Sequence, residues 1–535
     1  MFAILLLLSA CAPGKPEITS ITPKIGILGE VVTLRGKNFG KIQNESYVSI
    51  AGIIPTGTSY ISWNDDLISV RTSETGESGL VYVHVKGKRS NGVLFTNTAA
   101  VPRPIEGEEL SLEPRITSVT PRVGAVGTLI TITGNNFGIS RENAGVFFSW
   151  ESEFPSVNPF VQREPEFIEV SEMEFGYESW NSREIIIRLP DGAVSGNFEI
   201  RTPRGRSRPV FFEVSGKPGI KSFKEKRNYT INYSVDIKVL EASRPNTLYL
   251  WMPQPVMSPS QRNVTLVSRN LEPLLENHMG IKLFKLENLI TGSGLNVNLS
   301  YHVEVYTQET TLRPLVNTSG TSELSEYTQS SILIPSNDPT IKTLVNTIIG
   351  RERNPYIKAR LIYDWIAWEM NFTPQEMFVD KITASSIIAA AEKKQSDANT
   401  AALLFTTLAR AGGIPCIPVA GVLVNSNGQT LRHYWAEFWI EDFGWVPVDP
   451  IMGARAVPEQ FVLKQDSINY FFGNLDSQRI AFSRGEPVLS QIDSRGRIVS
   501  RTQYSLQNIW EEAVGGLESY SSLWSDVVIT GIYAE

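Results

Sequence analysis

The sequence predicts a multidomain chain of two all-β sandwiches, a further β domain and an α+β core. Three observations predict it: a glycine- and proline-marked module that occurs twice, period-two apolar alternation after it, and helical periodicity that first appears near Asp338. At 535 residues the chain is too long for one hydrophobic core, and the reading divides it into residues 1–11, 16–97, 114–215, 220–330, 335–485 and 486–535. Hydrophobic residues at 41% and charged residues at 20% are ordinary for a folded soluble protein. The net charge of −7 argues against a nucleic-acid partner.

Met1 to Cys11 is an apolar run too short to cross a bilayer, and it reads as an export signal. Its end, Leu8-Ser9-Ala10-Cys11, resembles the bacterial lipobox. That resemblance implies lipidation of Cys11 and anchoring of an exported protein to the membrane of the cell envelope. The positively charged start usual in such signals is missing, and an ordinary secretory signal with a chance cysteine is the alternative. Cys416 is the other cysteine, so lipidation of Cys11 leaves no disulfide partner.

Pro16-Glu17-Ile18-Thr19-Ser20-Ile21-Thr22-Pro23 recurs as Pro114-Arg115-Ile116-Thr117-Ser118-Val119-Thr120-Pro121, an offset of 98 (114 − 16). Gly26, Gly29, Gly36 and Asn38-Phe39-Gly40 recur in step as Gly124, Gly127, Gly134 and Asn136-Phe137-Gly138. Ser62-Trp63-Asn64 recurs as Ser179-Trp180-Asn181, an offset of 117 (179 − 62), so the second copy carries 19 extra residues (117 − 98). Val31-Val32-Thr33-Leu34 and Leu129-Ile130-Thr131-Ile132 are β-branched runs between turns. The pattern resembles the IPT/TIG family of immunoglobulin-like sandwiches, which implies spacers or binding modules without chemistry of their own. The insertion, within Ser149 to Tyr177, mixes Phe154, Phe160, Phe167 and Phe175 with acidic residues. Either it grips a partner, or its aromatics fold back onto the sandwich or the next domain. Ala99 to Glu113 reads as a linker.

Tyr229 to Ile237 and Thr247 to Met252 alternate at period two and predict strands of the third domain. Ile357, Leu361, Trp365 and Trp368, at spacings of 4, 4 and 3, predict the apolar face of a packed helix. A second helix is predicted at about 384–393. A third starts near Ala398 and stops at Gly412-Gly413, with Pro415 just beyond. Strands are predicted at about 417–424, 433–440 and 445–448, the first two joined by the Asn425-Ser426-Asn427-Gly428 turn. Beyond Gly485 the pattern predicts mixed strands and a short amphipathic helix.

The candidate chemistry lies between Gln395 and Gly453. Leu404-Phe405, Leu408, Arg410 and Gly413-Ile414-Pro415, then His433-Tyr434-Trp435-Ala436-Glu437, then Gly444-Trp445-Val446-Pro447-Val448-Asp449-Pro450 resemble the core of transglutaminase-like proteins, a branch of the papain-like fold. The resemblance covers roughly residues 337–453. It implies a triad of a cysteine at a helix start, a strand histidine and a following aspartate. The helix dipole favours the thiolate, the histidine moves its proton, and the acid orients the ring. His433 and Asp449 fill the base and acid positions, but the nucleophile position is Ala398.

A methyl group cannot attack a carbonyl, and loss of the nucleophile from a comparable triad costs on the order of 10⁶ in turnover. Cys416 lies at the far end of a helix rising roughly 20 Å, and Ser396 and Thr400 are each two positions out of register. Tyr434, Trp435 and Trp445 either line the cleft or serve as core aromatics. The histidines (His84, His278, His302, His433) lack ligand spacing and no phosphate loop is visible, so no metal or cofactor is implied. The expectation is a cell-envelope lipoprotein whose silent transglutaminase-like domain holds a protein or peptide ligand, cell-wall peptide among the candidates. The alternative is an active cysteine peptidase or amidohydrolase.

Overall fold

The computed structural model describes residues 14–73, 79–97, 112–141, 144–153, 166–171, 176–215, 218–312, 324–373, 382–462 and 464–534. The expected export signal with Cys11, nearly all of the linker, and residues 154–165 and 172–175 of the insertion lie outside the described residues.

The two N-terminal modules repeat one strand order. In the first, one sheet runs Glu17–Thr22, Val31–Lys37, Leu67–Arg71, Tyr60–Trp63; in the second, Arg115–Thr120, Leu129–Asn135, Glu184–Arg188, Tyr177–Trp180. The shared Gly-x-Asn-Phe-Gly motif has a steric basis. A Cβ on Gly36 would strike the Glu17 carbonyl and the Phe39 ring, and one on Gly134 would strike the Arg115 carbonyl and the Phe137 ring. Asn38 and Asn136 take φ of 62° and 64°, a left-handed conformation that asparagine tolerates. Phe39 and Phe137 are buried, and their carbonyls accept from the Trp63 and Trp180 indoles at 2.9 and 3.1 Å. In the insertion, Glu166–Glu169 pairs with Gly145–Trp150 as an added edge strand and buries Ile168. The Arg201 guanidinium covers the Phe167 ring, and the Phe167 carbonyl accepts from Arg262 of the next domain. The described part of the insertion therefore folds back onto the protein.

Strand β1 (Gly219–Pro253) is the spine of the third domain, and β2 (Gly294–Leu312) pairs along it. Tyr229, Ile231, Tyr233, Val235 and Ile237 are all buried, as period two requires of one sheet face.

The core follows with α1 (Pro339–Ile349), α2 (Pro355–Glu369), α3 (Ala384–Lys393) and α4 (Ala398–Ala411). Every residue of α4 from Asn399 to Arg410 is buried, which its small and apolar side chains permit on all sides. Thr406 and Thr407 donate to the carbonyls of Ala402 and Leu403, and Arg410 donates to those of Cys416 and Gln329. An antiparallel sheet then forms from β3 (Cys416–Val424), β4 (Thr430–Ile440), β5 (Gly444–Val448) and β6 (Arg479–Arg484), in the order β5-β4-β3-β6.

Two expectations need correction. The face of α2 that enters the core is Ala359, Ile362, Tyr363 and Ile366, whereas Ile357 and Leu361 are over a third exposed and Trp368 is 73% exposed. The helix is apolar on two sides, so spacing alone could not choose between them. Beyond Gly485 the described residues contain strands and no helix. Strands β7 (Glu511–Trp524) and β8 (Val528–Ala534) return to pair with β1, and tertiary pairing overrides the local pattern. The turn between them, residues 525–527, reaches the core, where the Val527 carbonyl accepts from the Thr430 hydroxyl at 2.8 Å.

The second sandwich is keyed to the core through Asp191, which is 4% exposed. Its carboxylate accepts from the buried Lys221 ammonium of β1 and from the Trp445 N–H of β5 at 3.2 Å. Asp191→Ala strands a buried ammonium and is expected to cost about 3–5 kcal/mol, read as a lowered urea midpoint. Adding Lys221→Met should recover part of that loss. An unchanged midpoint for the single variant would show that this junction contributes nothing.

Candidate active site

The helix start of α4 presents the first wall. Asp397 caps the helix, accepting from Thr400 N–H at 2.7 Å, so the chain enters α4 with Ala398 as its first helical residue. Ala398, Asn399 and Asp397 border a cavity of about 510 Å³, and His433 and Tyr434 of β4 border the same cavity. The structure thus places Ala398 and His433 on one cavity. Ala398 is partly exposed there, while Asn399 is 2% exposed.

His433 Nε2 lies 2.7 Å from Asp449 Oδ2, both side chains fully buried. A carboxylate only accepts, so Nε2 donates to Asp449 and Nδ1 is the ring nitrogen left out of that bond. Nδ1 is buried and has no hydrogen-bond partner among the described residues. Both side-chain polar atoms of Asn399 are likewise buried without partners.

Asp449 is held from three directions. Its Oδ1 accepts from the Met452 N–H at 3.0 Å, capping α5 (Pro450–Gly453), and its Oδ2 accepts from Arg479 of β6 at 2.9 Å as well as from His433. Burial by itself would raise the carboxyl's pKa. His433, Arg479 and the Met452 N–H together outweigh burial and hold it below the ordinary carboxylate range. Arg479 also reaches Asp476 at 3.3 Å and lies over the Trp435 ring at 5.0 Å.

The other sequence candidates part ways. Tyr434 borders the cavity but spends its hydroxyl on the Gln503 carbonyl at 2.5 Å. Trp435 packs with Val256, Val419, Leu475 and Ala481. Trp445 faces the second sandwich with Leu324, Tyr327 and Ile417. Neither tryptophan borders the cavity that Ala398 and His433 share. Cys416 is fully buried, and burial pushes its thiol up to about 12 even though Arg410 and Thr406 pull the other way. That thiol is inert at neutral pH. Sequence reasoning missed Asn399 and Arg479 as site residues. Both left a signal: an amide directly after the nucleophile position, and a charge in the otherwise apolar Arg479-Ile480-Ala481-Phe482.

Residues 342–450 match the Transglutaminase-like superfamily, and residues 16–98 and 114–151 match the IPT/TIG domain. The chain carries a transglutaminase-like core. An uncharacterised Haemophilus influenzae protein is 26% identical over 212 residues, which cover 32% of this chain and 56% of that protein. The chain thus spans about half the length of that curated relative. Among solved structures, a candidate cysteine protease from Cytophaga hutchinsonii is similar at 14% identity and a TM-score of 0.37, covering 59% of this chain and 93% of that one. The periplasmic domain of TgpA from Pseudomonas aeruginosa is similar at 14% identity and a TM-score of 0.26, covering 46% of this chain and 92% of that one.

The transglutaminase-like core therefore holds a buried His433–Asp449 pair and places His433 on the same cavity as Ala398. Because the folded pKa of Asp449 lies below its unfolded value, its stabilising contribution is complete above the ordinary carboxylate range and is lost as pH falls through the folded value. Asp449→Asn is expected to cost about 3–5 kcal/mol at pH 7 by leaving Arg479 under-paired. The difference from wild type should shrink below roughly pH 4. Urea midpoints from pH 7 to pH 3 measure it, and a pH-independent difference would contradict the ionised assignment.

Proposed function

We propose that the transglutaminase-like domain is a non-catalytic binding module that holds a peptide, free or attached to cell-wall glycan, without cleaving it. One observation carries this reading: the cavity lacks a nucleophile at Ala398, yet Asn399 and His433 on its border keep buried polar atoms without protein partners. Each such group costs about 1–3 kcal/mol when unpaired. A ligand with complementary amide groups offsets that cost once a small side-chain shift at the cavity border exposes these atoms.

The test pairs the unmodified protein with Ala398→Cys, using a thiol-reactive probe and peptide-amide substrates. The unmodified protein should show no turnover, bind peptides in calorimetry, and leave Cys416 unlabelled until it is denatured. Ala398→Cys should gain a labelled residue in the α4 start peptide, with labelling reduced by His433→Ala. Turnover by the unmodified protein that depends on His433 would sink the non-catalytic reading.

We also propose anchoring in the cell envelope through lipidated Cys11, supported by the Leu8-Ser9-Ala10-Cys11 motif. Expressed in a bacterial host, the chain should incorporate a palmitate analogue and partition with membranes, and Cys11→Ser should abolish both. Incorporation that survives Cys11→Ser excludes this anchor.

A further inference from the structure

The cavity has a wall that the family match does not cover. Asp526 and Val527, from the β7–β8 turn, border it together with the helix start of α4. The turn is pinned there by the Thr430–Val527 hydrogen bond at 2.8 Å. Arg432, next to His433, borders the cavity too, and its Nε lies 3.3 Å from Asp526 Oδ1. The pair is accessible, with side-chain exposures of 32% for Arg432 and 67% for Asp526. Arg432 is steadied from behind by the Thr502 carbonyl at 3.3 Å.

An exposed ion pair of this kind contributes little to stability, so it opens at small cost. What it can accept is set by charge matching. A ligand with only an ammonium gains Asp526 and nothing at Arg432, and a ligand with only a carboxylate gains Arg432 and nothing at Asp526. A group with both charges on one carbon exchanges partners with both side chains at once: its carboxylate meets the planar guanidinium and its ammonium meets Asp526. Asp397, buried in the same cavity, further disfavours a purely anionic ligand.

We propose that Arg432 and Asp526 form a head-group subsite that selects a peptide bearing a zwitterionic amino-acid centre, an ammonium and a carboxylate on one carbon, at the end of a side chain. The proposal rests on the cavity's being a peptide-binding site. It makes the β7–β8 turn the specificity wall of the core, delivered by strands that belong to the sheet of β1.

Three matched tripeptides test it by calorimetry on the full chain: Ala-Glu-diaminopimelate, Ala-Glu-lysine without the head-group carboxylate, and Ala-Glu-2-aminopimelate without the head-group amine. The diaminopimelyl peptide should bind about tenfold or more tighter than either relative, the range of a charged hydrogen bond gained. Asp526→Asn and Arg432→Gln should each erase that preference, with the diaminopimelyl peptide losing about tenfold or more. Arg432→Lys should retain part of it, and circular dichroism checks that each variant is folded. Equal binding of all three peptides overturns the subsite but leaves the binding reading standing. Binding of none overturns both. A preference that survives Asp526→Asn overturns the assignment to this pair.

Discussion

Asp449 is the junction on which the cleft depends. One carboxylate accepts from the imidazole of β4, the guanidinium of β6 and the backbone at the start of α5. Strands β4 and β6 are not neighbours in the sheet, because β3 lies between them. The carboxylate therefore ties together elements that the hydrogen-bond ladder does not join directly. A buried anion is tolerated only with such compensation. The same bonds that stabilise it fix the ring of His433 and leave Nδ1 unpaired beside the cavity that Ala398 borders.

The form of the site does not depend on the residue at position 398. None of the bonds that hold His433, Asp449 and Arg479 involves Ala398. Those bonds serve the fold of β4, α5 and β6 as well as the cleft. Removing any of the three leaves a buried charge or donor unpaired, whereas changing residue 398 does not. The electrostatic frame is thus bound into the stability of the core whatever residue stands at 398.

The cleft is also a product of chain return. Strand β1 pairs with β2, β7 and β8, and its core merges with that of the transglutaminase-like sheet through Val422, Val424, Ile480 and Phe482. A segment far along the chain thereby becomes a cavity wall. Elsewhere on the core, Asp191 of the second sandwich meets Lys221 and Trp445, so the sandwich is fitted to the core by a buried ion pair.

The sequence by itself determined the parts whose causes are local. Gly36 and Gly134 leave no room for a Cβ, Asn38 and Asn136 adopt left-handed turns, and the constant spacing of these residues makes the repeat legible from the chain alone. Asp397, Gly412-Gly413 and Pro415 bound α4 through capping and stop chemistry, and the motifs along the core singled out Ala398, His433 and Asp449. Only the tertiary structure decided which side of α2 is buried, since Ile357 and Trp368 are as apolar as Ile362 and Ile366. It alone placed Trp445 against the second sandwich, returned the chain beyond Gly485 as strands β7 and β8 along β1, joined Arg479 to Asp449 and set Asp526 at the cavity. Periodicity and motifs report what a residue does to its own backbone and near neighbours. Partners far apart in the chain are chosen by burial and charge pairing, which no local pattern encodes.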